Sequence, residues 1–180
     1  MIAAIEWVLL LLTAFAVVTT LYSCARTGVP AVPSSPRVCR EVAGLAREVL
    51  GNKPHPLVLD LGSGYGDLLL AVLRAVPGAR GVGLEVAVMP WAVAAVRGRL
   101  SGRRGCFRRQ RYEGYEGSGA DLVVVYLGRA ASRELAEGAV RLRPGTPVIS
   151  CFFAITAWEP ERVVRCGDMY RTPLYLYRVP

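Results

Sequence analysis

Histidine, lysine and paired cysteines are nearly missing from this 180-residue chain. His55 is its one histidine and Lys53 its one lysine. The five cysteines, at 24, 39, 106, 151 and 166, are odd in number and show no C-x-x-C spacing. A zinc site therefore lacks its ligands, and a disulfide frame lacks its pairs, so free thiols in a reducing compartment are expected. His55 lies before the first expected strand, far from the strand tips, which rules it out as a catalytic base. The sequence has no internal repeat and no low-complexity stretch. With lysine so scarce, the net charge of +8 rests on arginine, which coding bias explains as readily as a need for guanidinium chemistry. The length fits one domain plus an appendage.

What the chain does have is a long apolar run at its start and a glycine-rich turn further on. Ile2 to Tyr22 carries a single charge, Glu6. As a helix it would extend roughly 32 Å, enough to cross a bilayer core. Trp7 and Tyr22 sit near its ends, where aromatics favour the interface. No Lys or Arg precedes it, while Arg26, Arg37, Arg40, Arg47 and Lys53 follow. The excess of positive charge places the rest of the chain on the cytoplasmic side. A cleaved signal peptide needs a basic start, which is absent; Leu21-Tyr22-Ser23-Cys24 only faintly matches a lipoprotein cleavage site. A retained single-pass anchor in the inner membrane is the expectation, with 1–25 as the anchor, 26–53 as a proline-rich linker and leading helix, and 54–180 as the folded domain.

The second stretch, Val58-Leu59-Asp60-Leu61-Gly62-Ser63-Gly64-Tyr65-Gly66-Asp67, organises that domain. Leu57 to Leu61 reads as a buried parallel strand. The glycines let the chain turn sharply and let a ligand lie on bare backbone. The helix that follows, Leu68 to Val76, aims its free N–H groups at that ligand. The dinucleotide fingerprint G-x-G-x-x-G is not met, because Asp67 stands at its third glycine position and Gly66 precedes it. An acid there would repel a pyrophosphate, so the ligand lacks one. Arg80 to Leu84 reads as the second strand and ends in Glu85, whose carboxylate can accept from both hydroxyls of a ribose.

The pattern Asp60-x-Gly62-x-Gly64-x-Gly66 resembles motif I of class I methyltransferases, which bind S-adenosylmethionine. That ligand carries an ammonium and a sulfonium, so nearby carboxylates favour it. The resemblance implies an α/β, Rossmann-like fold with a seven-stranded, mostly parallel sheet and helices on both faces, here preceded by one transmembrane helix. It assigns cofactor contacts to Asp60, Gly62, Ser63, Gly64, Gly66, Glu85 and Tyr126. An acid after the third strand often contacts the adenine amine in this fold; with that strand at Cys106 to Gln110, Arg111 occupies the place instead.

Elsewhere, Ser35 is a plausible N-cap with Pro36 in the first turn of a helix reaching about Leu50. Met89 to Leu100 reads as a crossover helix. A basic run follows: Arg97, Arg99, Arg103, Arg104, Arg108, Arg109 and Arg111, with Phe107 interleaved. It reads as a solvated face, as a contact with anionic lipid beside the anchor, or, least favoured, as a nucleic-acid surface. Asp121 to Leu127 is the clearest buried strand, and Tyr126 at its end is placed nearest the transferred methyl, or else is a packed strand-end tyrosine. Ser132 to Leu142 reads as a helix, Thr146 to Phe152 as the fifth strand, and Val163-Val164 with Leu174 to Val179 as a closing pair.

The apolar start, the linker Val29-Pro30-Ala31-Val32-Pro33-Ser34, the helix and the motif around Asp60 together resemble the small membrane-anchored protein-lysine methyltransferases. Mitochondrial members of that group modify the adenine nucleotide translocase and ATP synthase subunit c; this chain looks like a bacterial-type relative. The resemblance implies in-line transfer of a methyl group to a lysine on a protein, with membrane proteins among the candidate substrates, and with no metal and no obligatory base. The acids and histidine expected after the fifth strand are replaced by Cys151-Phe152-Phe153. Methylation of a small or lipid-soluble molecule, and a non-catalytic module that kept the fold, stay open beside it.

Overall fold

The computed structural model describes residues 5–11, 13–15, 17–18, 32–102 and 105–180. Helix α1 (Pro36–Leu50) begins where the cap residues dictate: the Ser35 side chain accepts from the Val38 N–H, and Pro36 fills the first turn. Its apolar face, including Val38, Val42, Leu45 and Leu50, is buried. Strand β1 (Leu57–Leu61) then runs into helix α2 (Asp67–Ala75), strand β2 (Arg80–Glu85), helix α3 (Val88–Leu100) and strand β3 (Gly105–Arg109). After the short β4 (Tyr115–Glu116) come β5 (Leu122–Val125), helix α4 (Arg129–Ala136), β6 (Val140–Arg141), β7 (Pro147–Cys151), β8 (Arg162–Arg165) and β9 (Pro173–Arg178).

Seven strands form one sheet in the order β3-β2-β1-β5-β7-β9-β8. The β1, β2, β3, β5 and β7 pairings are parallel, and β9 lies antiparallel to both β7 and β8. This is the mostly parallel seven-stranded α/β sheet that the sequence implies. Its central strands are apolar on both faces because each face carries its own core. One core joins α1 and α2 to the sheet through residues such as Val42, Leu69 and Val124. The other packs Leu59, Leu84, Leu135 and Tyr177. Asp121 fixes the amino-terminal edge: it accepts from the Leu57 N–H at 2.8 Å and from Lys53 at 2.6 Å.

Two readings change in the structure, and a third lies partly beyond what it describes. The helix expected over Ser132 to Leu142 spans Arg129–Ala136 instead, and Gly138, with φ of 85°, turns the chain away. The residues beyond form β6, which pairs in parallel with β4 as a separate two-stranded ribbon. Phe107 is no part of a nucleic-acid face: its ring packs against the core. A Cβ on Gly66, Gly83 or Gly98 would come within 2.7, 2.6 or 2.9 Å of that ring, so three elements close on it only because they lack side chains. Finally, the expected anchor falls partly outside the described residues. Residues 5–11, 13–15 and 17–18 are helical and exposed, and among the described residues no helix is long and apolar enough to cross a membrane.

The ring of Phe107 therefore holds β2, α3 and the glycine turn together. Phe107→Ala should destabilise the domain by about 3 kcal/mol, measured by urea unfolding of the otherwise unchanged chain.

Candidate active site

The order of the sheet reverses direction at β1, which has β2 on one side and β5 on the other. A crevice at the carboxyl ends of such strands is the usual ligand site of an open α/β sheet. Here it is a cavity of about 330 Å³, bounded by the glycine turn, the end of β2 and the end of β5.

The turn is shaped by two glycines in the left-handed region. Gly62 has φ of 69°, and a Cβ there would strike the Leu127 side chain at 2.3 Å. Gly64 has φ of 52° and open space where its side chain would be, so the cavity meets bare backbone. Glu85 locks the turn: its Oε2 accepts from the Gly64 N–H at 2.9 Å, and its Oε1 accepts from the Ala87 N–H at 2.7 Å. A carboxylate has about four acceptor sites, so both oxygens keep capacity for a ligand's hydroxyls. Gly66 departs from its expected role. It does not line the cavity; with φ of 80° it caps α2 and lies against Phe107.

Asp60 is 2% exposed and Ser63 7% exposed, and both line the cavity. Among the described residues, Asp60 Oδ2 and Ser63 Oγ are the buried side-chain polar atoms without a hydrogen-bond partner. Leaving such atoms unmade is costly, and a polar ligand in the cavity would satisfy both. Burial pushes the Asp60 carboxyl up to about 7, and the neighbouring Glu85 charge adds to the rise. A cationic group beside Asp60 would reverse that shift.

Asp67, at the first turn of α2, is a junction. Its Oδ1 accepts from Arg97 at 2.7 Å, and its Oδ2 accepts from the Ser34 N–H at 3.2 Å. Arg97 also donates to the Tyr65 carbonyl at 2.6 Å. Arg97 thus leaves the exposed basic run and clamps the glycine turn to α3. Residues Val32 and Ser34, just before α1, form part of the cavity wall. Arg103 and Arg104 lie outside the described residues.

On the far side of β2, the third strand ends one residue earlier than the sequence suggests, at Arg109. The residue that follows it is therefore Gln110, not Arg111. Gln110 lines the cavity, and its N–H donates to the Glu85 carbonyl at 3.1 Å. Its amide can accept and donate, as an adenine edge requires. Arg111 also lines the cavity, where it forms an ion pair with Glu113. Tyr112 donates to Glu134 of α4, and burial with this bond raises its phenol well above the ordinary range. Tyr126 follows β5, lines the cavity half-buried, and has its pKa raised by burial. Asp60, Gly62, Ser63, Gly64, Glu85 and Tyr126 are thus brought around one cavity. Gln110 and Phe153 join them unanticipated; only the register of β3 and the turn after β7 reveal them.

This sheet order, with its cavity at β1 and acids at the ends of β1 and β2, is that of a class I S-adenosylmethionine-dependent methyltransferase. The chain is similar to a solved RNA methyltransferase from Salinibacter ruber in complex with S-adenosyl-L-homocysteine, with a TM-score of 0.69, 29% identity, and coverage of 83% of this chain and 94% of that one. It shares the fold of magnesium protoporphyrin IX methyltransferase from Synechocystis PCC 6803 with bound SAM, at a TM-score of 0.60, 17% identity, and coverage of 79% and 80%. The protein-lysine N-methyltransferase of Saccharolobus islandicus (strain REY15A) is 28% identical over 155 residues, covering 83% of this chain and 92% of that protein. Residues 60–162, more than half of the chain, match the ANTKMT methyltransferase domain. The chain belongs to the ANTKMT methyltransferase family, and its cofactor is S-adenosylmethionine.

Two outcomes test the site. Glu85→Ala should abolish S-adenosylmethionine binding in calorimetry, since it removes both acceptors and the brace on Gly64. The raised pKa of Asp60 sets a pH dependence with a defined sign. Without ligand, its folded form holds the proton more tightly than the unfolded chain, so stability falls as pH rises from about 4 to about 7. Binding of the cationic cofactor needs the ionised form, so affinity should rise between about pH 6 and 8. Asp60→Asn should weaken binding and flatten that rise.

Proposed function

We propose that this chain transfers the methyl group of S-adenosylmethionine to a lysine side chain of a protein. The observation that carries the reading is the similarity to a protein-lysine N-methyltransferase over 155 residues, within a family to which the chain belongs. The cavity is consistent with it. The cofactor, when bound, supplies a methyl group on a sulfonium with a neutral leaving thioether. Glu85 and the Gly64 backbone would hold the ribose. Asp60 Oδ2 would take the ammonium, Ser63 Oγ would donate to the carboxylate, and Gln110 would face the adenine. Tyr126, Leu127 and Phe153 make one stretch of the wall largely apolar, which favours the neutral amine that can attack. Tyr126 would stand nearest the methyl, orienting the acceptor, and the protein's main work is alignment and exclusion of water. No step here calls on a metal.

We propose further that the first segment anchors the enzyme to the inner membrane, with the domain on the cytoplasmic side. Support comes from its exposed apolar side chains, among them Trp7, Leu9, Leu11 and Phe15, each more than half exposed. A bilayer would cover them. The partition into anchor (1–25), linker with leading helix (26–53) and catalytic domain (54–180) belongs to the same reading. A second substrate class has one specific support, the similar RNA methyltransferase structure. Against it, Phe107 is packed inward and Arg97 and Arg111 are already paired.

Incubation of the full chain in detergent with radiolabelled S-adenosylmethionine and a membrane extract should label protein, at a residue that mass spectrometry reads as methyllysine. Label confined to RNA would replace the first reading with the second. Fractionation should place the chain with membranes, and protease should reach its domain in inside-out vesicles; protection would reverse the topology.

A further inference from the structure

The cavity wall is unevenly built. Asp60, Ser63, Glu85 and Gln110 come from the β1, β2 and β3 ends of the sheet, where the cofactor is expected, Arg111, Tyr112 and Glu113 follow β3, and α4 adds the Glu134 carboxylate, which accepts from Tyr112. The β5 and β7 ends contribute Tyr126, Leu127 and Phe153. Val125 pairs with Ser150 in the sheet, so Tyr126 and Cys151 leave adjacent strands side by side.

The chain then does something a phenylalanine rarely does. Phe152 has φ of 70°, a left-handed conformation that a bulky residue adopts only under constraint. The Phe153 N–H donates to the Cys151 carbonyl at 2.9 Å across it, which makes Phe152 the centre of a γ-turn. Three bonds hold the turn: this one, the Phe152 N–H to the Pro173 carbonyl at 2.8 Å, and the buried Ser150 hydroxyl to the Phe153 carbonyl at 2.6 Å. The far end of the loop is tied as well, by the Ile155 N–H donating to the Tyr177 hydroxyl at 2.9 Å. The rings of Phe152 and Phe153 meet edge to face, with centroids 5.0 Å apart. Phe152 is 44% exposed, while Phe153 turns to the cavity. Strain persists where surrounding structure over-determines it, and it gathers at working sites.

We propose that Phe153, set in place by the strained turn at Phe152, determines acceptor specificity: its ring is the wall along which the aliphatic stem of the incoming lysine lies. A long methylene stem loses water against such a face while its amine passes on toward the methyl. This rests on the lysine reading above and adds the residue that enforces it. The chemistry is that already described, and Phe153 neither gives nor takes a proton.

The experiment compares the full chain in detergent with Phe153→Ala, Phe153→Leu and Phe152→Gly, using polylysine as the acceptor and S-adenosylhomocysteine as the cofactor probe. Phe153→Ala should raise KM for polylysine by about tenfold or more. Its affinity for S-adenosylhomocysteine should stay within about twofold of wild type. Phe153→Leu, which keeps an apolar wall, should recover most of the KM. Phe152→Gly should retain KM and unfold no more readily, because glycine takes the φ without strain. An unchanged KM in Phe153→Ala, or a loss of cofactor affinity that parallels the rise in KM, overturns the proposal alone. So does a Phe152→Gly variant as impaired as Phe153→Ala. Wild-type protein that binds S-adenosylhomocysteine but leaves polylysine unmethylated overturns the lysine reading, and this one with it.

Discussion

The close approach of three glycines to the ring of Phe107 is the constraint on which the site depends. Gly66 ends the turn, Gly83 lies mid-strand in β2, and Gly98 is on the inner face of α3. A side chain on any of them would push its element outward by a fraction of an ångström to an ångström. The glycine turn would then move relative to Glu85, which grips it through the Gly64 N–H. Packing and chemistry are thus one problem here, because the cradle for the cofactor is built by removing side chains beneath it.

Electrostatics adds a second tension. Asp60 and Glu85 lie at the ends of neighbouring strands, almost fully buried. Glu85 is relieved by two backbone donors, while Asp60 keeps one oxygen unmatched and holds its proton unusually tightly. The fold carries this cost at Asp60, and a cationic ligand beside it would remove it. A site that is unfavourable without its ligand is stabilised by occupancy.

Much of this was legible in the sequence where local chemistry is strong. The buried run before Asp60, the Ser35-Pro36 cap and the acid ending β2 each leave a signature of composition or spacing, and the structure places those elements within a residue of expectation. What stayed hidden is non-local. Strands β4 and β6 are two residues each, too short for any periodicity, and only their mutual pairing creates them. Arg97 reads as part of a surface charge run because its carboxylate partner, Asp67, is brought to it from the first turn of another helix by the fold. Strand β3 ends one residue earlier than the sequence suggests, which brings Gln110 as well as Arg111 to the cavity wall. Phe152 carries no sign in its neighbours that its backbone is left-handed.

The junction at Asp67 has a consequence for the cavity. Ser34 hangs from its carboxylate, and Val32 and Ser34 form part of the wall around the cofactor cavity. The segment that leads into the domain is therefore also a door-post of the cavity. A displacement of residues 32–34 would reach the cofactor cavity directly. The bond from the Ser34 N–H ties that wall to the same carboxylate that Arg97 holds, and Arg97 in turn grips the Tyr65 carbonyl of the glycine turn.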